Sequence, residues 1–282
     1  MNMQLDRLKR VPSRITNELF LEYKIFQSRF AKRKMKILFS HKPTWEDSIK
    51  KGFKYTQHAI AFGEISADNI KDYDLIVPLT IQDLKYLDEV RSLIIDNPIP
   101  IPSMESILLC DDKYLLNKTL VAKGFGSFVP QMGGALTYPY ILKKRIDEWG
   151  VNSHTIADIQ QEHIFLDTLT NPEYFSQELI TGPYEYATHI LFKDQKIACS
   201  INIKYAFKSE TPIKGKDNPI YIKVCRCPYL DVFSSIIKSI GFEGLCCFNY
   251  KVFDNRPFIL EINPRFGGSL GPLFFSFMNH IV

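Results

Sequence analysis

The chain lacks most of the features that announce a membrane, secreted or metal-knuckle protein. No apolar run reaches the roughly 18 residues a membrane-spanning helix needs. The N-terminus carries no apolar signal core, which points to a cytoplasmic protein. The six cysteines include a C-x-C pair (Cys225, Cys227) and an adjacent pair (Cys246, Cys247), but no C-x-x-C knuckle. Adjacent residues on a strand point to opposite faces, a poor geometry for one zinc ion, so these read as reduced core cysteines. The six histidines show no ligand spacing of the H-E-x-x-H kind and read as structural. Internal repeats and low-complexity tracts are absent.

What is present is an ordinary globular composition, 45% hydrophobic and 23% charged. The net charge of +4 says little about partners, but it is uneven. Residues 1 to 36 hold ten Lys/Arg against three Asp/Glu. Such a segment suits an anionic surface or, more plainly, a solvated helical face. Neither a nucleic-acid partner nor a membrane span is expected.

Along the chain, residues 16–34 read as a helix with apolar positions at Leu19, Phe20, Tyr23, Phe26 and Phe30. "MKILFS" (35–40) and "YDLIVPLT" (73–80) read as buried strands, each followed by a helical stretch. That alternation implies a small parallel α/β unit. The Pro-rich "DNPIPIP" (96–102) is a natural junction. The implied organisation is a basic helical segment (1–34), a small α/β domain (35–103) and a larger domain (104–282) of α+β character. Beyond the junction, Asp111 or Asp112 caps a helix that Gly124 ends. "YPYILKKR" (138–145) and the stretch 173–207 read as strands, 230–241 as a helix, and "LCCFNYKVFDNRPFILEIN" as a hairpin.

The hairpin carries the chemistry. With its turn at Asp254-Asn255-Arg256, Phe253 faces Pro257 and Asn249 faces Glu261. Even positions, among them Cys246, Phe248, Tyr250, Phe258, Leu260 and Ile262, then form an apolar face. Asn249, Lys251, Glu261, Asn263 and Arg265 share the other. Hard oxygens at Asn249, Glu261 and Asn263 suit Mg²⁺, which takes few protein ligands and several from phosphate or water. A two-residue turn would break the Asn249–Glu261 pairing. The bland alternative is a solvated polar face.

"ILEINPRFGGS" resembles the terminal metal-binding segment of the ATP-grasp superfamily, in its carbamoyl-phosphate-synthase-like branch. "DDKYLLNKTLVAKGFGSFVP" resembles that family's entry helix, "YPYILKKR" its phosphate-lysine strand, and "SQELITGPYEY" its hinge strand. The resemblance spans about residues 104 to 275, with a lid at about 125–180. "MKILFS…YDLIVPLT" is similar to the family's small preceding domain.

The resemblance implies an ATP-grasp fold and a set of roles. Lys113 and Lys143 would grip the ATP phosphates. Glu178, Leu179 and Ile180 would form the adenine hinge, and Glu185 would bind the ribose hydroxyls. Asn249, Glu261 and Asn263 would hold Mg²⁺, or Mn²⁺ in its place. Arg265 would steady the transferred phosphate, and Gly267-Gly268 would let the backbone pass close to the acceptor. The implied activity is an ADP-forming carboxylate–amine ligase, whose partners are ATP, a small carboxylate and an amine donor. An ATP-grasp-type kinase and a non-catalytic ATP-binding protein are the alternatives, and a homodimer or partner subunit is compatible. Two departures stand out. Asn249 occupies a position where an acid or Gln is usual, which puts a second metal in doubt. The loop after Lys143, "KRIDEWGVNSHTI", has only Gly150, and Gly150, Asn152 and Ser153 would have to supply donors there; His154 sits in the same loop but reads as structural. Lys204, Lys208, Lys223 and Arg226 are candidates for an anionic-substrate pocket.

Overall fold

The computed structural model describes residues 13–30, 33–134, 136–148 and 150–281. The basic segment before Ser13, residues 31 and 32, the side chain of Phe20 and position 149 of the loop after Lys143 lie outside the described residues. No helix among the described residues is long and apolar enough to cross a membrane.

Helix α1 (Ser13–Gln27) opens the described chain. Leu19, Tyr23, Phe26 and the following Phe30, the apolar positions of this helical segment, are exposed. The segment is held instead by Ile25, which packs on the core, and by Arg29. The Arg29 guanidinium donates to the Gly52 carbonyl and lies 4.2 Å from the centre of the Phe275 ring.

Strand β1 (Lys36–Ser40), helix α2 (Pro43–Phe53), strands β2 (Ala59–Gly63) and β3 (Leu75–Val77) and helix α3 (Ile81–Glu89) form the α/β unit. Its sheet is parallel, in the order β2-β1-β3. The apolar run places β1 in the middle, with four of its five residues buried. A Thr80–Asp83 capping box starts α3. The Pro-rich segment then leads into α4 (Met104–Asp111) and α5 (Lys113–Leu120). Asp112 ends the first and caps the second, accepting the Tyr114 and Leu115 N–H groups. Gly124, at φ +87°, turns the chain out of the helix.

Strands β4 (Tyr140–Lys144) and β5 (His154–Ile156), helices α6 (Ile159–Ile164) and α7 (Leu166–Thr170) and strand β6 (Tyr174–Glu178) follow. They make an antiparallel sheet, ordered β5-β4-β6, around Tyr140, Leu142 and Ile156. The remaining elements are strands β7 (Tyr184–Lys193), β8 (Lys196–Ala206) and β9 (Tyr221–Cys225), helix α8 (Leu230–Ser239), strands β10 (Gly244–Phe253) and β11 (Arg256–Asn263), and helix α9 (Met278–Ile281). The five strands form one antiparallel sheet in the order β11-β10-β7-β8-β9.

That sheet separates two apolar clusters. Cys247, Ala187 and Ile201 join the parallel sheet and the segment Gly268–Phe277 on one side. Cys246, Phe248 and Tyr250 join α5 and α8 on the other. The adjacent cysteines therefore face opposite cores, and all six are free thiols. Phe233 stacks on Phe248 at 4.4 Å, and each such fully buried ring contributes about 2 kcal/mol.

The terminal hairpin differs from its expected form twice. Its loop has two residues, Asp254 and Asn255, both at positive φ, and Phe253 faces Arg256. Asp and Asn tolerate the left-handed region that a two-residue hairpin loop demands. A bulge then inserts one extra residue, Leu260, between the Tyr250–Ile259 and Asn249–Glu261 pairs. The two shifts cancel, so Asn249 still faces Glu261. Leu260 leaves the apolar face and lines a cavity.

Candidate active site

A cavity of about 380 Å³ lies between the β4–β6 sheet and the five-stranded sheet. Lys113, Lys143, Glu178, Leu179, Ile180, Glu185, Asn249, Glu261, Asn263 and Arg265 all line it. The residues singled out along more than 150 positions of sequence thus meet around one space.

Glu261 is the centre of the polar cluster. The side-chain amides of Asn249 and Asn263 donate to its Oε1 at 2.6 and 3.0 Å. The Lys113 ammonium stands 3.3 Å from its Oε2. Burial opposes the carboxylate charge, but Lys113, the two amides and Lys214 outweigh it and hold the pKa at about 2. One permanent carboxylate flanked by two amides, each able to turn its oxygen inward, is a donor set that fits one hard cation with an otherwise open shell. No group of three His, Cys, Asp or Glu side chains forms a metal site among the described residues.

Lys143 enters from β4 and donates to the Gln177 side chain at 2.8 Å. Burial lowers its pKa to about 8, Lys113 and Lys251 adding to the fall while Glu261 and Glu185 resist it. Lys113, the first residue of α5, also donates to the Asp147 carbonyl at 2.5 Å. Glu178 ends β6, and its backbone N–H donates to the Gln131 carbonyl. Its carboxylate accepts from the Gln131 N–H. The Ile180 carbonyl is taken by Lys251 at 2.9 Å.

Several residues in the site were not picked out from the sequence. Lys214 bridges Asn249 Oδ1 at 3.0 Å and Glu185 Oε1 at 3.6 Å. Burial works against its charge, but Glu185 and Tyr205 outweigh it and raise its pKa. Glu185, expected to open toward a ribose, is buried and faces this ammonium. Lys251 had been read only as a cation on the hairpin face. Lys42, Trp45 and Glu148 gather beside Arg265, with Arg265 Nη2 2.5 Å from Glu148 Oε1. No periodicity marks Glu148 or Lys214, since both lie in loops.

Other expectations are corrected. Lys204, Lys208, Lys223 and Arg226 do not appear in the cavity wall among the described residues. Lys204 pairs with Lys223 across β8 and β9 and lies over the Tyr184 ring. His154, read as structural, packs in that way. It lies on β5 opposite Leu142, its ring 4.5 Å from Phe165. The Asn152 backbone and side-chain N–H groups are spent on Asp147, whereas Gly150 and Ser153 do reach the cavity. Gly267 and Gly268 line the cavity, but a Cβ there would strike His189 at 2.6 Å and Trp45 at 2.8 Å, so the space they leave admits those rings.

The family follows from comparison. Residues 110–269 match the model of the ATP-grasp domain, more than half of the chain. The chain belongs to the ATP-grasp family. Solved structures of similar fold include D-alanine–D-alanine ligase from Bacillus anthracis, at 16% identity and a TM-score of 0.59, over 88% of this chain and 95% of that one. Phosphoribosylamine–glycine ligase from Thermotoga maritima aligns at 13% identity and a TM-score of 0.61, over 84% and 70%. N5-carboxyaminoimidazole synthetase from Staphylococcus aureus, complexed with ADP, aligns at 15% and 0.55, over 86% and 74%. No curated protein matches the chain. Every residue assigned a role by resemblance lies within the ATP-grasp span, whereas Lys42 and Trp45 lie outside it.

Proposed function

We propose that this ATP-grasp protein is an ATP- and Mg²⁺-dependent ligase that activates a carboxylate as an acyl phosphate for attack by an amine. The observation that carries this reading is the convergence on one cavity of Glu261 with its two amides, the Lys113 and Lys143 ammoniums and the buried Arg265. Among the described residues the cavity wall balances five acids (Glu148, Glu178, Glu185, Asp217, Glu261) against five cations (Lys113, Lys143, Lys214, Lys251, Arg265). A triphosphate therefore needs positive charge beyond that of the wall, and Mg²⁺ held by Glu261, Asn249 and Asn263 would supply it as a Lewis acid on phosphate oxygens.

The chain's own groups would do the rest. Lys113 and Lys143 bind and orient the phosphates, a matter of positioning and charge rather than covalent chemistry. The backbone of residues 178–180 offers an edge for the adenine. Arg265 stands where charge builds on the transferred phosphoryl group, and its 7% exposure makes that attraction stronger than in water.

A screen of amino acids and small carboxylates, with and without amines, tests the reading. ADP and inorganic phosphate should form in equal amounts only with a productive pair. ADP formation matched by a phosphorylated alcohol, without free phosphate, would make the protein a kinase. Tight ATP binding with no ADP across the panel would make it a binding protein.

A further inference from the structure

We propose that the acceptor's carboxylate binds between Lys42 and Arg265, against the ring of Trp45. This subsite rests on the ligase reading above and identifies where the acceptor is recognised.

Three observations carry it. First, the place already holds a carboxylate. Glu148 reaches in from the loop after β4, its Oε1 2.5 Å from Arg265 Nη2 and its Oε2 3.3 Å from Lys42 Nζ. Two cations that each take one oxygen are a cradle for a carboxylate. Second, Arg265 is 7% exposed, and its Nε is buried without a partner among the described residues. Its Nη1 donates to the Phe266 carbonyl, which fixes the guanidinium in place. Third, the floor is rigid. Trp45 is 5% exposed and packed against Gly268, where even a methyl group would collide with it. The Lys42 ammonium lies 4.1 Å and the Arg265 guanidinium 5.3 Å from the centre of the indole ring.

Glu148 is suited to leave. Its side chain is half exposed on a loop, whereas the Lys42 and Arg265 side chains are 16% and 7% exposed. Two cations this close repel each other, and Lys42 is lowered by burial and by Arg265 while Glu148 opposes the fall. An incoming carboxylate can replace Glu148 as their counter-ion. The other acids nearby are less free: Asp83 is bonded to Ser40 and Thr80, and Asp111 is half-buried at the end of α4. Lys42 and Trp45 precede the ATP-grasp span, so part of the subsite comes from outside it while Arg265 belongs to it.

The test uses the full chain carrying Trp149→Phe, which leaves Trp45 as the single tryptophan. Its emission is followed during titration with sodium acetate at constant ionic strength, with chloride as control. Adding Glu148→Gln should tighten acetate binding at least about fivefold, since the competing carboxylate is gone. Adding Lys42→Ala to that variant should weaken it about tenfold, and Lys42→Arg should largely restore it. A Trp45 signal that does not saturate with acetate in the Glu148→Gln variant overturns the proposal, and so does equal affinity in the Lys42→Ala variant. Calorimetry of ATP–Mg²⁺ on the parent protein tests the ligase reading separately. If ATP fails to bind even the parent protein, the ligase reading falls while the acetate titration still decides the subsite.

Discussion

Lys143 offers a quantitative test of the phosphate site. In the free protein its pKa lies at about 8, below the usual 10.5, chiefly because it is buried. It is then about nine-tenths charged at pH 7 and about one-tenth charged at pH 9. Bound phosphates favour the ammonium and raise its pKa, so binding above pH 8 takes up a proton. A process that takes up protons weakens as pH rises. Affinity for a non-hydrolysable ATP analogue with Mg²⁺ should therefore fall about tenfold from pH 7 to pH 9, or about 1.4 kcal/mol. Lys251, lowered by burial, acts in the same direction. Calorimetry at pH 9 in two buffers of different ionisation enthalpy should report an uptake approaching one proton. Lys143→Met should bind more weakly at pH 7 and lose most of the pH dependence. A flat affinity with no proton uptake would refute the placing of Lys143 at the phosphates. The depressed pKa also has a stability consequence. The unfolded chain binds this proton more tightly, so the lysine's contribution to native stability should rise between pH 8 and 10.5.

Three further outcomes follow from the same contacts. Glu261→Ala removes the one carboxylate that the two amides and Lys113 share, and should abolish ADP formation while lowering stability by only about 1–2 kcal/mol; retained turnover contradicts the metal assignment. Asp112→Ala removes both the α5 cap and the ion pair with Arg145, and urea unfolding should show a loss of about 1–2 kcal/mol, whereas an unchanged midpoint would contradict the cap. Gly244→Ala places a Cβ 2.5 Å from the Pro100 carbonyl at φ +117°, so it should cost about 2 kcal/mol or more, and a melting temperature within a degree of wild type would rule that out.

Period-2 alternation made the face shared by Asn249, Glu261 and Asn263 legible, because one apolar neighbour separates each polar residue from the next. The Leu260 bulge was not legible. An extra residue leaves no mark at the end of the unbroken apolar run Phe258, Ile259, Leu260, where period 2 is already lost, and its one-residue shift was hidden by an opposite error in the turn. Strand β2 was passed over because Ala59–Gly63 is short and only partly buried. Lys214 and Glu148 escaped for a different reason: a loop carries no period, and their positions depend on contacts made across the fold. Lys204 and Lys223 misled because composition alone does not say which side of a strand faces a cavity. The exposed stripe of α1 shows the same limit, since helical spacing reveals a face but not what covers it.

The central claim is that a carboxylate is activated by phosphorylation. The most direct measurement uses a carboxylate found productive in the ADP screen, labelled with ¹⁸O in both carboxyl oxygens. Mass spectrometry of the released inorganic phosphate should show one ¹⁸O atom per phosphate, because the acyl-phosphate bridge leaves with it. Unlabelled phosphate alongside amide product would contradict the account.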